Sequence, residues 1–310
     1  MNRCVLRNAG ALVGLVACLW TAPAWAHVAS DVATSGNVGG LATPELLDVG
    51  LPILAAGLLY AIGLIRLWQR SGQARAVRAA RAASFAAGLV VLAFALLSRL
   101  ERLGQELFAF HMIQHELLML VAAPLLVCGQ PLSVWLWAFP RGGRQWLSRL
   151  GETRAFAAFW RTVTSPLSAW TIHAIVLWVW HAPSLFDATL VDRGIHNLQH
   201  VTFLLSALLF WFALLSARAR EAQGVAILYL FTTTVHTGAL GALITFAARP
   251  WYAHYLATAP KWGLTALEDQ QLGGLIMWVP ASMVFVGFAL VLLARWINAG
   301  PPEPVRTSQP

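Results

Sequence analysis

The stretch 272–294, LGGLIMWVPASMVFVGFALVLLA, contains 23 residues and no charged side chain. At about 1.5 Å of rise per residue, a helix of this length can cross the hydrocarbon core of a bilayer, which is roughly 30 Å thick. A helix also satisfies its own backbone hydrogen bonds, which lipid cannot replace. The stretch therefore predicts a membrane-spanning helix.

The rest of the chain has the same apolar character. Its 310 residues are 58% hydrophobic and 11% charged, with a mean hydropathy of +0.66, whereas soluble domains carry about 25% charged residues. This composition excludes a soluble enzyme, a disordered protein and a disulfide-rich secreted domain. Further apolar runs predict an all-α polytopic membrane protein, a seven-helix transmembrane bundle over residues 49–295. The predicted spans are 49–68, 82–98, 108–128, 165–182, 195–216, 224–247 and 272–294.

Residues 1–26 predict a cleavable signal peptide. Arg3 and Arg7 form a basic start, and the apolar run Ala9–Trp20 is too short to span a bilayer. Small residues at the end of the segment favour cleavage after Ala26, where the sequence reads AWA. A lipoprotein-type site at Cys18, preceded by LVA, is the alternative. Either cleavage places the mature N-terminus outside the cell.

The positive charges agree with that orientation. With residues 27–48 as a short extracytoplasmic segment, the inner segments carry 14 Arg and the outer segments carry four Arg and one Lys. This bias is typical of cytoplasmic loops, so the net charge of +8 indicates topology and anionic lipid contacts rather than a nucleic-acid partner. We predict a bacterial-type plasma membrane protein with an interfacial stretch at 131–139. Its tail, 296–310, would be cytoplasmic and disordered.

Histidines concentrate at one level of the predicted bundle. The third span opens with His111-Met-Ile-Gln-His115, and the fifth opens with His196-Asn-Leu-Gln-His200. The i,i+4 spacing places both rings of a pair on one helix face, about 6 Å apart along the axis. The fourth span ends at His181. Five histidines from three helices are therefore predicted to converge near the outer face.

Imidazoles inside a membrane bundle point to metal binding. Polar groups in spans are costly and face the bundle interior, and imidazole binds copper, zinc, iron and nickel. The thioethers of Met112, Met119 and Met277 favour a soft ion such as Cu(I). Glu116 and Asp187 are possible partners that would orient a ligating ring. Copper is therefore the hypothesis, with His111, His115, His181, His196 and His200 as ligands.

The remaining histidines are weaker candidates. A lone histidine in a span is most often a hydrogen-bonding group between helices, and we interpret His173 in this way. His236, near the middle of the sixth span, is a possible additional or supporting residue. His27 would begin the mature chain, where its α-amine and imidazole could chelate an ion together.

Other functions remain open at this point. One alternative is a haem-binding or electron-transfer membrane protein, in which a haem lies between histidines of two spans. Spans three and five lack the second, deeper histidine of stacked haems, so a metal ion ranks above haem. A copper permease would need ligands that continue inward, where the sequence offers Cys128 and Met283. Without a G-x-S-x-G, an H-E-x-x-H or a glycine-rich phosphate loop, the sequence predicts no enzyme.

Three motifs together resemble a known family. They are HMIQHELLMLVAAPLLVCGQPL at 111–132, WHAPSLFD at 180–187 and HNLQHVTFL at 196–204, followed by Trp211. They resemble the multi-pass CtaG-like cytochrome c oxidase assembly factors over about residues 49–295. The resemblance implies a role in copper loading of a haem-copper terminal oxidase. Terminal oxidase subunits and an extracytoplasmic copper donor would be the partners, and the five histidines match the motif positions.

Overall fold

The computed structural model describes residues 46–70, 75–216 and 220–298. The predicted signal peptide, His27 and the last part of the predicted tail lie outside the described residues. Within those three ranges every regular element is helical and there is no strand, which confirms the all-α prediction. The helices are α1 (Leu51–Arg70), α2 (Arg75–Leu97), α3 (Arg99–Glu106), α4 (Phe108–Cys128), α5 (Pro131–Ala138), α6 (Arg141–Glu152), α7 (Arg154–Val163), α8 (Pro166–Trp180), α9 (Pro183–Val191), α10 (Arg193–Leu215), α11 (Arg220–Thr245), α12 (Tyr255–Thr258) and α13 (Ala266–Asn298).

Six helices of the described part are long and apolar enough to cross a membrane. The apolar segments within them are Leu47–Gln69, Arg78–Leu97, Phe108–Cys128, Arg193–Leu215, Gly224–Thr245 and Ala266–Asn298. The first segment begins in a π-helical turn, Leu46–Gly50, that directly precedes α1. The predicted fourth span, 165–182, corresponds to α8, which has 15 residues and begins at Pro166. With α7 it forms a pair bent by 63°. By length and composition the chain therefore has six candidate spans, or seven if the bent pair crosses as one.

Two boundaries differ from the predictions. α13 continues to Asn298, three residues into the predicted tail, because no proline or glycine lies between Arg295 and Gly300. The predicted interfacial stretch 131–139 forms α5, which packs along α1. Trp135 Nε1 donates to the Ala56 carbonyl at 3.1 Å, and Tyr60 of α1 donates to the Gly129 carbonyl at 2.9 Å. These bonds hold the chain after α4 against the first span.

Large apolar side chains lie both in the core and on the outer faces of the helices, as expected for a protein in lipid. The core at the centre of the bundle includes Phe203, Trp211 and Leu230, each no more than 1% exposed. Large apolar side chains elsewhere point outward, such as Val90 at 67% and Phe231 at 63% exposure. Soluble proteins rarely expose apolar surface on this scale, so the outer faces of these helices fit a lipid environment.

α4 contains a wider turn directly after the first histidine pair. Residues Leu117–Ala122 form a π-helical segment, in which the Ala123 N–H donates to the Leu118 carbonyl. Pro124 follows, and its ring would clash with the carbonyl four residues earlier in a regular helix. The wider turn removes this clash. It also leaves the Met119 carbonyl accepting from Trp211 Nε1 at 2.8 Å, which joins α4 to α10.

Candidate metal site

The structure brings all five predicted histidines together at one end of the bundle. His111 and His115 of α4 face His196 and His200 of α10, and His181 lies directly after α8. Ring centroids are 4.4 Å apart for His111 and His115, 4.3 Å for His196 and His200, and 5.6 Å for His115 and His200. The His181 ring lies 6.3 Å from that of His115. All five side chains are buried. We call these residues the histidine cluster.

The two central helices begin one turn before their first histidine. α10 starts at Arg193 because Asp192 caps it, its Oδ1 accepting from the Ile195 N–H at 2.9 Å. α4 starts at Phe108, and its cap comes from α13. Asp269 Oδ2 accepts from the Phe108 N–H at 2.7 Å and Oδ1 accepts from the Ala109 N–H at 3.0 Å. The two histidine pairs therefore lie in the first turns of neighbouring helices.

Asp269→Asn should destabilise the protein by about 2 kcal/mol, the scale of a hydrogen bond to a charged group. Asn replaces one carboxylate oxygen with an NH2 group, which donates instead of accepting. One buried N–H of α4 therefore loses its acceptor. Thermal unfolding in detergent, followed by circular dichroism, measures the loss. Glu268→Gln is the matched control, because a single oxygen, Glu268 Oε2, accepts from the Thr265 N–H and hydroxyl. Equal melting temperatures for both variants would refute the capping role.

Several ring nitrogens of the cluster are buried without a hydrogen-bond partner among the described residues. They include both nitrogens of His115, Nε2 of His200 and Nδ1 of His111. His181 Nδ1 lies 2.7 Å from the Leu177 carbonyl, which can only accept, so Nδ1 carries the proton and Nε2 keeps its lone pair. Nitrogen atoms of His111, His115 and His200 lie within 4.8 Å of one another. This set could hold one metal ion.

Three further residues lie around the histidine cluster and were not among the residues predicted from the sequence. Gln199, buried on α10, places Oε1 3.3 Å from His111 Nε2 on the opposite helix. Gln114, buried on α4, donates to Glu101 Oε2 and to the Ala95 carbonyl. Glu101 of α3 in turn places Oε1 2.8 Å from His196 Nε2. Both H-x-x-Q-H motifs carry a glutamine at the same position, which was the signal available in the sequence. Gln199 lies beside His111, and Gln114 holds Glu101 in contact with His196.

Four of the supporting candidates make contacts outside the histidine cluster. Met112 packs against Gly273 of α13, and Met277 lies one turn further along α13 in the apolar core. Asp187 Oδ2 accepts from the Ala253 N–H at 3.1 Å, and the ring of His236 contacts Trp170 at 5.2 Å. None of these four contacts involves a ring of the cluster, so their roles as sulfur ligands or orienting groups stay predictions.

Three further residues named from the sequence lie in different environments. Met119, in the π-helical segment, is buried in the apolar core. Glu116 follows His115, and its buried Oε2 has no partner among the described residues. His173 Nδ1 lies 3.1 Å from the Ser206 hydroxyl, the hydrogen bond between helices that its lone position predicts.

The connection between α11 and α13 closes this end of the bundle over the cluster. Tyr255 donates to the Gly104 carbonyl at 2.8 Å, and Tyr252 donates to the His181 carbonyl at 3.2 Å. Burial raises the pKa of both hydroxyls, so they remain protonated donors. His254 Nε2 adds a bond of 2.9 Å to the Gln105 carbonyl. These bonds tie the connection to α3 and to the end of α8.

Comparison with known proteins identifies the family of this chain. A family model described as cytochrome c oxidase caa3 assembly factor (Caa3_CtaG) matches residues 58–299. The chain belongs to the Caa3_CtaG family. The match includes the whole histidine cluster, Glu101 and both glutamines. It confirms the resemblance carried by the three sequence motifs.

Relatives of this Caa3_CtaG protein include uncharacterized proteins of two mycobacteria. ML1998 of Mycobacterium leprae is 24% identical over 259 residues, and Mb0105 of Mycobacterium bovis is 24% identical over 263 residues. The alignments cover 80% and 81% of this chain but 38% of each relative. The chain thus spans well under half the length of these relatives. No solved structure matches it.

Proposed function

We propose that this Caa3_CtaG protein binds a copper ion as cargo at His111, His115 and His200 and hands it to a subunit of a haem-copper terminal oxidase. The observation that carries the proposal is the set of buried, unpartnered imidazole nitrogens that these three residues direct toward one another. An unpaired buried polar atom costs about 1–3 kcal/mol, and a bound ion would offset that cost at several atoms together.

Copper suits both the donor set and the family. Neutral imidazoles bind copper well, and a cytochrome c oxidase assembly factor serves an enzyme that contains copper. The distribution of Arg supports an orientation with the cluster end on the extracytoplasmic side of the plasma membrane and the C-terminus in the cytoplasm. There an extracytoplasmic donor could deliver the ion. The protein would act by binding and transfer, without turning over a substrate.

The surroundings of the rings favour an ion over a haem. Phe186 packs against His111 with ring centroids 4.9 Å apart, and Phe203 packs against His115 at 4.6 Å. These are distances of direct ring contact, so aromatic side chains pack closely around the cluster and leave little room for a macrocycle. A copper permease would need further ligands toward the other end, where the two candidates of the sequence, Cys128 and Met283, are exposed rather than buried in the bundle.

Metal analysis and a visible spectrum of the purified protein test the proposal. After loading with Cu(I) and removal of loosely bound metal, we expect about one copper ion per chain, held by the lone-pair nitrogens of neutral imidazoles. The visible spectrum should show no Soret band. His111→Ala should lower the copper content, whereas His254→Ala, outside the cluster, should not. Stoichiometric haem in the spectrum, or equal copper in the wild type and His111→Ala, would refute the copper site.

A further inference from the structure

A second group of metal-ligating atoms adjoins the first and shares one residue with it. Ligand atoms of Glu101, His196 and His200 all lie within 4.8 Å of one another. Glu101 and His196 are in direct contact, with Oε1 and Nε2 2.8 Å apart, and their side chains are 12% and 8% exposed. This group combines one carboxylate oxygen with two imidazoles, whereas the first group contains imidazoles alone.

The two groups differ in their access from outside. A cavity of about 230 Å³ lies between α3, α9 and α10, and its lining includes Glu101, His196 and His200. His111 and His115 are 0% and 1% exposed and do not line this cavity. An ion arriving through the cavity would therefore meet the Glu101 group first.

The carboxylate of Glu101 is held in place for such a role. Gln114, itself fully buried, donates to Glu101 Oε2, which turns the other oxygen toward His196. Arg193 also lines the cavity, and its guanidinium lies 3.3 Å from Asp48 Oδ2. That ion pair occupies Arg193, so its positive charge is compensated next to the path of a cation.

We propose that Glu101, His196 and His200 form an entry site, where a copper ion binds before it moves to His111, His115 and His200. The inference rests on the proposed function. The two groups share His200, whose Nε2 is buried without a partner among the described residues, so we take a single ion to alternate between them. Soft Cu(I) prefers nitrogen to carboxylate oxygen, which favours the inner position. The move exchanges Glu101 and His196 for His111 and His115, with no change in oxidation state.

The rate of copper uptake tests the entry site. Cu(I) is supplied on a coloured chelator, and the loss of the chelator's absorbance after mixing in a stopped-flow instrument follows transfer to the purified full-length protein. Glu101→Gln should slow uptake by about tenfold, the scale of removing a group that supports a metal site. The final copper content should equal that of the wild type, because the inner ligands remain.

Two further variants make the result decisive. Glu106→Gln lies on the same helix outside the cavity lining, and its amide oxygen can still accept from Trp262 Nε1, so it should load at the wild-type rate. Glu101→Asp keeps a shorter carboxylate and should give an intermediate rate with unchanged final copper. The entry site alone would be overturned if Glu101→Gln took up copper at the wild-type rate, or if each wild-type chain bound two copper ions. A wild type that takes up no copper would overturn the proposed function as well.

Discussion

Protein carrying both His115→Ala and His200→Ala is expected to retain less than about a tenth of the wild-type copper, because the loss of each ligand multiplies the loss of affinity. In cells that depend on this chain, oxidase activity of the membranes should fall to the level of a deletion strain. His115 offers two unpartnered nitrogens, and His200 belongs to both proposed positions of the ion. Removing both residues leaves neither position with three ligands.

A matched double variant separates copper loss from general damage. His173→Ala with His236→Ala also removes two histidines within the bundle, but neither belongs to a group of three ligand atoms that lie within 4.8 Å of one another among the described residues. This variant should keep the wild-type copper content and support oxidase activity. Size-exclusion chromatography checks that both double variants remain folded. Wild-type oxidase activity in cells carrying His115→Ala/His200→Ala would refute the role of the cluster in copper transfer.

Gly274→Ala should prevent α11 and α13 from packing and cost about 3 kcal/mol or more, at the upper end of overpacking. A Cβ at Gly274 would lie 2.9 Å from the Thr245 nitrogen and 3.0 Å from the Gly241 carbonyl oxygen. Both are backbone atoms, so no side-chain rotation relieves the clash. Small residues allow this close approach of membrane helices. We expect a sharp drop in the yield of folded protein and in its melting temperature.

Gly287→Ala on the same helix is the control. A Cβ there would meet no atom within 4 Å, so the substitution adds no clash. Alanine also favours a helix over glycine by about 1 kcal/mol, which should leave the melting temperature unchanged or slightly higher. Similar melting temperatures for the two variants would contradict the close packing of α11 on α13.

The positions of the candidate spans could be predicted from the chain because they depend on length and hydropathy alone. The prediction for 108–128 matches α4 at both ends, since proline, glycine and a change of polarity bound the apolar run. α8 shows where such reasoning falls short. It begins at Pro166 and ends at Trp180, so it has only 15 residues. The angle of 63° between α7 and α8 depends on packing against other helices.

Among the candidate site residues, those with helical spacing could be found and those that depend on neighbouring elements could not. The i,i+4 pairs of α4 and α10 place two imidazoles on one face of each helix whatever surrounds them. Met112 lies next to His111 in the chain, yet one residue of helical rotation directs it to Gly273 of α13. Glu101 lies in a short polar helix where carboxylates normally face water, and only its contacts with Gln114 and His196 turn it inward.

By itself the sequence determined an all-helical membrane protein, the helix face that carries each histidine pair and the family to which the chain belongs. These properties are local, because hydropathy, helical period and motif spacing do not depend on which elements become neighbours. Only the tertiary structure decided that α4 and α10 face each other, that Asp269 of α13 caps α4 and that Glu101 joins His196. Such contacts join residues up to 161 positions apart, and their pairing depends on the combined packing of all the helices.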